Sequence, residues 1–414
     1  MLRMPKSSAR FWSILRPDVI GSGVVGVMFL SSSVAGDPLQ AIPSKTGELE
    51  NRQRPKVYIE AFRGNIGRTA ADLVRRSIER CHVFEIAPTG HSDTYTISAE
   101  STGGRIQAVI FKPGGGVLME RLYESPSLRQ NAHRLTDDLT ELVAAHPGIA
   151  SSIVAFVSDR SGSRQVYMCD SDGYDIRRIT TDPAVEAHEP CVRVSAGKFV
   201  FTGSKRGYPD IYAIDLETND STPTRIINAI GNNRFPALSP DASRLALTMS
   251  YSGSTDLYVT SAAGGQGRRL TNDQSIESHP TWSPDGRSIA YTRSNEKSGA
   301  NSGLAVISAL GGKPEVLAGI SGNPTSPEWS PDGGHIAFTL DSKDGRGVAL
   351  FDLKKRETAM LEGSETAHSP SWAPDSRHLV FISENALWVY EVETGVRIRI
   401  IGDFGNISDS TWSR

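Results

Sequence analysis

Cysteine is scarce, with Cys81, Cys169 and Cys191 the only three in 414 residues. That excludes a disulfide scaffold, and no CxxC pair exists for a zinc ribbon or a thioredoxin-type redox site. Positive charge is not in excess either. With 44 basic against 47 acidic side chains the formal charge is −3, which leaves no general field for nucleic acid or anionic lipid. Long hydrophobic runs are missing too: the apolar stretch Val19 to Leu30 is broken by Gly21, Gly23 and Gly26 and falls short of the ~20 residues a membrane-spanning helix needs.

That stretch has another use. Arg3, Lys6, Arg10 and Arg16 precede it and Ser33-Val34-Ala35-Gly36 follows, the pattern of an export signal over residues 1–35 cleaved near Ala35. No cysteine lies near the cut to carry a lipid. In an oxidising compartment Cys169 and Cys191 could pair, and the sequence leaves that open. Residues 36–55, with Pro38, Pro43 and Pro55 among polar side chains, read as a flexible tail.

A small α/β domain is expected over 56–147. The alternation Val57, Ile59, Ala61 predicts a strand to Phe62, and Ala70, Leu73, Val74 and Ile78 share one face of a helix over 68–81. Strands follow near Tyr95 to Ala99, Arg105 to Phe111 and Val117 to Tyr123, the last two as a hairpin across Pro113-Gly114-Gly115-Gly116. A second helix runs from Leu128 to Ala145, with Pro147-Gly148 as its stop. Glycines 114–116 and Gly311-Gly312-Lys313 lack the GK[ST] ending of a phosphate loop and are turns.

One phrase then recurs: Leu238-Ser-Pro-Asp, Trp282-Ser-Pro-Asp-Gly, Trp329-Ser-Pro-Asp-Gly, Trp372-Ala-Pro-Asp and, at the end, Trp412-Ser413. A degenerate copy stands at Val194-Ser195. Repeats of 40 to 47 residues, each with four short strands, are the mark of a β-propeller. The first unit opens at Ile153 with no such phrase before it, while the chain closes on a phrase with no second strand after it. The expected fold is therefore a small α/β N-terminal domain followed by an all-β six-bladed β-propeller over 150–414, closed by the C-terminal strand. The tryptophans should fill the wedges between blades, and Asp241, Asp285, Asp332 and Asp375 should serve turns. Asp170, Asp172 and Asp175 around Gly173 read as a hairpin turn, since a calcium loop would need a terminal Glu that is absent.

The residues preceding each phrase should ring one mouth of the channel: His188 and Glu189, Phe235, Ser278 and His279, Ser326, His368 and Ser369, and Asp409. Three histidines without the tight pairing of a zinc motif do not make a metal site. Aromatic and imidazole anchors in a polar surround suit a protein or peptide. No catalytic group, metal or cofactor is expected. The competing reading is a propeller enzyme, lyase or glycosidase, or a glycan-binding module. A serine peptidase is excluded, because neither G-x-S-x-G nor room for a hydrolase domain exists.

The export signal, the α/β domain ending in a helix and the six repeats together make the chain similar to the TolB family, soluble periplasmic components of the Tol-Pal system. Ala71-Asp72-Leu73, Ile153-Val154-Ala155-Phe156 and Asp172-Gly173-Tyr174 add to the likeness. The resemblance implies a non-enzymatic monomer that binds the lipoprotein Pal at the propeller mouth and supports outer-membrane integrity and constriction at division. By position in the repeat, its partner-contacting rim falls on Asn232, Phe235, Ser278 and His279. It also implies contact of the N-terminal region with TolA, although residues 36–55 lack the alternating apolar segment that the family uses for it.

Overall fold

The computed structural model describes residues 54–205, 207–218, 222–251, 253–295, 300–343 and 345–413. The leader over 1–35 and nearly all of the tail over 36–55 lie outside the described residues. No helix among the described residues is long and apolar enough to cross a membrane.

The first unit is a five-stranded sheet covered by two helices. Its strands stand in the order Glu85–Ile86, Lys56–Ile59, Tyr95–Thr102, Arg105–Phe111 and Val117–Tyr123, the first two pairings parallel and the rest antiparallel. The opening strand ends at Ile59 rather than at Phe62. Beyond it the backbone still follows its neighbour, with Glu60 N–H to the Ile97 carbonyl at 3.0 Å and Arg63 N–H to the Ala99 carbonyl at 2.9 Å. Helix α1 (Gly67–Arg80) starts at a glycine because a Cβ there would overlap the Phe62 carbonyl. Helix α2 (Leu128–Ala144) is capped by Ser127 and ends on left-handed Ala145. Val74 and Ile78 of α1 and Leu135 and Leu139 of α2 meet Val57, Ile97, Ile106 and Ile110 from the sheet, all of them buried. Each such aliphatic chain stabilises the fold by roughly 1.5–3 kcal/mol.

Six four-stranded antiparallel sheets follow, one per repeat. Blade one takes its inner strand from the end of the chain: Ile407–Trp412 pairs with Ile153–Ser158, from Ile407 opposite Ser158 to Trp412 opposite Val154, with one register shift at Asp409. Ser413 extends the seam, its N–H on the Ile153 carbonyl at 2.7 Å and its Oγ accepting the Ile153 N–H at 2.9 Å. The expected closure is therefore present, and no open inner edge remains at blade one.

The repeated tryptophans sit between blades. Trp282 packs on Leu257 and Val259 of the preceding blade, and Trp372 on Ala337 and Val348. Their indole N–H groups donate to the Ala237 carbonyl at 2.9 Å and to the Glu328 carbonyl at 3.1 Å. The repeated aspartates are turn residues, as their spacing predicts. Asp285 accepts Ser283 Oγ at 2.6 Å and the Arg287 N–H at 3.0 Å; Asp241 and Asp332 repeat the arrangement, and Asp375, with Ala373 in place of the serine, keeps only the backbone bond of the two, from Arg377. These hydrogen bonds to the ionised form hold the Asp285 carboxyl below its usual range.

The two units meet at a buried ionic joint. Arg129 of α2 binds Asp170 at 3.0 Å and also Asp172; Arg80 of α1 reaches Asp172 at 2.6 Å. The Tyr174 ring lies under both guanidiniums, 5.1 Å from Arg80 and 4.4 Å from Arg129. Gly173 permits the approach, because a Cβ there would meet the Ile400 carbonyl of blade six.

Candidate functional site at the propeller mouth

Every inner strand breaks register at one place, always by a residue of left-handed backbone. These are Glu189, Phe235, His279, Ser326, Ser369 and Asp409, with φ between +49° and +54°. In blade three, Arg234 faces Thr248 and Ala237 faces Ala246, so Phe235 and Pro236 together oppose Leu247. That is a β-bulge, which re-aims side chains where it occurs. A left-handed conformation costs a non-glycine residue about 1–2 kcal/mol. Its repetition in all six blades, at one height of the channel, marks a position where geometry outweighs local stability.

All six bulge residues line one cavity of about 120 Å³ in the channel. The proline or serine that follows each, from Pro190 to Ser410, lines it as well. The ring is lopsided. On blades three and four the Phe235 and His279 rings lie 3.9 Å apart between centroids, forming an aromatic wall. On blades five, six and one the side chains are small or acidic: Ser326, Ser369 and Asp409.

Glu189 faces the same cavity yet works as a staple. Its carboxylate accepts Thr202 Oγ1 at 2.6 Å and the Phe235 N–H at 2.8 Å, and pairs with Arg234. Burial pushes this carboxyl up, while Arg234 and the two hydrogen bonds pull it back toward the ionised form. The guanidinium of Arg234 lies 4.7 Å over the Phe235 ring, so Glu189 fixes the aromatic wall from below.

Burial pushes the His279 imidazole down to about 3, helped by nearby Arg234. The ring is thus neutral at the mouth, and its Nδ1 is buried without a partner. Below the ordinary histidine value near 6.5 the unfolded chain takes up a proton that the folded ring refuses. This part of the stability is whole above pH 6.5 and is lost as pH falls toward 3. A His279→Phe variant should therefore melt with a flatter acid dependence than the wild type over that window, read by thermal melts in a pH series.

The other four expected rim residues do not line the cavity. His188 stands opposite Thr202 and Ser278 opposite Thr292, in regular register one step before each bulge. His368 stands opposite Ile382 and contacts Ser369 Oγ through Nδ1 at 3.1 Å. Asn232 is exposed in the loop ahead of blade three, its N–H on Ser250 Oγ at 2.8 Å. Sequence reasoning missed Arg234 and the staple role of Glu189. The available signal was the proline at a fixed place in five of the six repeats.

Among the described residues one group of three potential metal ligands converges, His133, Asp170 and Asp172. It lies in the ionic joint rather than at the mouth. Arg80 and Arg129 already neutralise its carboxylates, so the cluster is read as an ion-paired contact. All three cysteines are unbridged; Cys169 is buried in the core, and Cys191 lines the channel and accepts the Leu238 N–H at 3.3 Å.

A family model described as "TolB beta propeller domain" matches residues 190–414. The chain is 31% identical over 196 residues to "Protein TolB homolog" of Chlorobium chlorochromatii, covering 46% of this chain and 43% of that protein. It is 31% identical over 143 residues to "Tol-Pal system protein TolB" of Desulfosudis oleivorans, covering 34% of this chain and 32% of that one. The matched part thus spans less than half the length of these relatives. In structure the chain resembles the crystal structure of TolB from Acinetobacter baumannii, with a TM-score of 0.76 at 20% identity, over 91% of this chain and 99% of that one. That likeness concerns the fold.

Proposed function

The chain belongs to the TolB β-propeller family, and from that premise we propose that it is the periplasmic, non-enzymatic docking component of a Tol-Pal system. In this reading it holds the lipoprotein Pal at the propeller mouth and so supports outer-membrane integrity and constriction at division. The observation that carries the proposal is the ring of six strained bulge residues around a cavity with an aromatic wall on one side and small polar groups on the other. Such a surface offers a rigid anchor for an inserted side chain and a wet, adaptable rim around it. The wall is set by Glu189 and Arg234 before any partner arrives, which lowers the ordering cost of binding.

The test is titration of the purified chain with the periplasmic domain of Pal from the same organism. Binding on the order of micromolar is expected. A Phe235→Ala, His279→Ala double variant should weaken it about 30-fold or more, the effect of removing a central hot spot. Failure of a folded wild-type chain to bind would overturn the reading, and unchanged affinity in the double variant would move the site elsewhere.

A further inference from the structure

Two neighbouring blade junctions are built from the same positions. Between blades two and three, Asp210 takes Arg225 Nη1 at 3.0 Å on one oxygen and the Asn233 side-chain amide at 2.8 Å on the other. One repeat later Asp256 holds the place of Asp210, in the sequence Asp256-Leu257-Tyr258 against Asp210-Ile211-Tyr212, and Arg269 holds that of Arg225, at 2.7 Å. The place of Asn233, two residues before the bulge, is held by Glu277. An amide facing a carboxylate has been replaced by a second acid.

Both acids are fully buried. Glu277 is fixed there by its own N–H on the Thr255 carbonyl at 3.0 Å and by Thr271. The Thr271 hydroxyl accepts the Leu257 N–H at 2.9 Å and donates to Glu277 Oε2 at 3.2 Å. The other oxygen, Oε1, is buried without a partner. The charged and titratable groups facing Glu277 are Asp256 and Arg269 from blade three, Asp273 from the connecting loop, and Arg293 and Tyr291 from its own blade. Both guanidiniums are engaged, Arg269 with Asp256 and Arg293 with Asp273, each at 2.7 Å. An ionised Glu277 would leave a buried carboxylate oxygen without a partner near Asp256, whereas a neutral one can donate as the Asn233 amide does next door.

We propose that Glu277 is held protonated at the junction of blades three and four, and that losing the proton loosens the aromatic wall and weakens docking at the mouth. Ser278 and His279 follow Glu277 directly, so any shift of that strand is felt at the mouth. Burial first, then Asp273 and Asp256, push the Glu277 carboxyl up to about 7. A raised carboxyl contributes stability that is whole below its unfolded value near 4.5 and is lost as pH rises through about 7. The effect on docking rests on the mouth being the docking site; the proton on Glu277 does not.

The experiment compares the full chain with Glu277→Gln, whose amide restores the arrangement seen at Asn233. Infrared difference spectra of the wild type should show a protonated buried carboxyl that fades as pH rises through about 7 and is missing in the variant. The stability difference, wild type minus variant, should fall between pH 4.5 and 7 and then level off. Affinity for the periplasmic domain of Pal should drop at least about fivefold between pH 6 and 8 in the wild type only, the low end of couplings between sites. Superimposable spectra and pH profiles would overturn the proton on Glu277. A titrating Glu277 with pH-independent affinity would overturn its link to the mouth. If Pal does not bind at any pH, the functional reading fails, and the spectra and stability curves still decide the proton.

Discussion

Truncation after Ser408 should convert a closed propeller into an open and aggregating chain. The six lost residues include Ser410, Thr411 and Trp412, which pair with Phe156, Ala155 and Val154 in blade one. They also remove a fully buried indole whose N–H donates to Ser152 Oγ at 2.7 Å. Deleting a buried tryptophan side chain alone costs about 3–5 kcal/mol, against a total stability of about 5–15 kcal/mol. The truncation additionally uncovers the Ile153–Ser158 strand, all six residues of which are buried in the closed ring. An exposed, flat, apolar edge is a template for pairing with other chains. Melts by circular dichroism and size-exclusion chromatography should show loss of a sharp transition and growth of large species. A truncated monomer melting with the wild type would contradict the closure. Trp412→Phe should fall between the two, since it keeps most of the buried area and loses the hydrogen bond.

The ring could be read from the sequence because its cause is local and repeated. Four phrases encode a turn by their own side chains, as at Ser283, Asp285 and Arg287, and with the partial copies at Val194-Ser195 and Trp412-Ser413 they announce six blades without knowledge of long-range contacts. The missing phrase before Ile153 and the missing strand after Trp412 gave the closure. The strand Glu85–Ile86 escaped because two residues carry no period. The mouth was legible in outline: six of the ten residues expected there line the cavity, while His188, Ser278, His368 and Asn232 sit beside it. What separates the groups is a left-handed φ at one residue per strand. Non-glycine residues as different as Phe235, Ser326 and Asp409 adopt it, so residue type gives no sign. Glu277 was invisible for another reason: its significance lies in a comparison with Asn233 that needs the register of two blades.

The ionic joint could not be read from local spacing. Asp170 and Asp172 around Gly173 resemble a turn, and they are one. Their partners are Arg129, 43 positions from Asp172, and Arg80, 92 positions away, on two helices of a different unit. Asp172→Ala should therefore be far more damaging than a turn substitution. It leaves two guanidiniums, both mostly buried, sharing the single remaining carboxylate of Asp170. Breaking a buried ion pair from one side costs about 3–5 kcal/mol, because the surviving charge stays desolvated. Separating the units relieves that penalty by returning Arg80 and Arg129 to water, so undocking should precede unfolding. Limited proteolysis in the segment between α2 and Ile153 should accelerate while the propeller retains its melting transition. An Arg80→Met, Asp172→Ala pair should recover part of the loss, as expected when the penalty resides in the unpaired cation rather than in missing attraction. If the single variant leaves both cleavage and melting unchanged, the joint is not what holds the two units together, and the hydrogen bonds from the Ala150 and Ser151 N–H groups to Asp137 of α2 would have to carry that role.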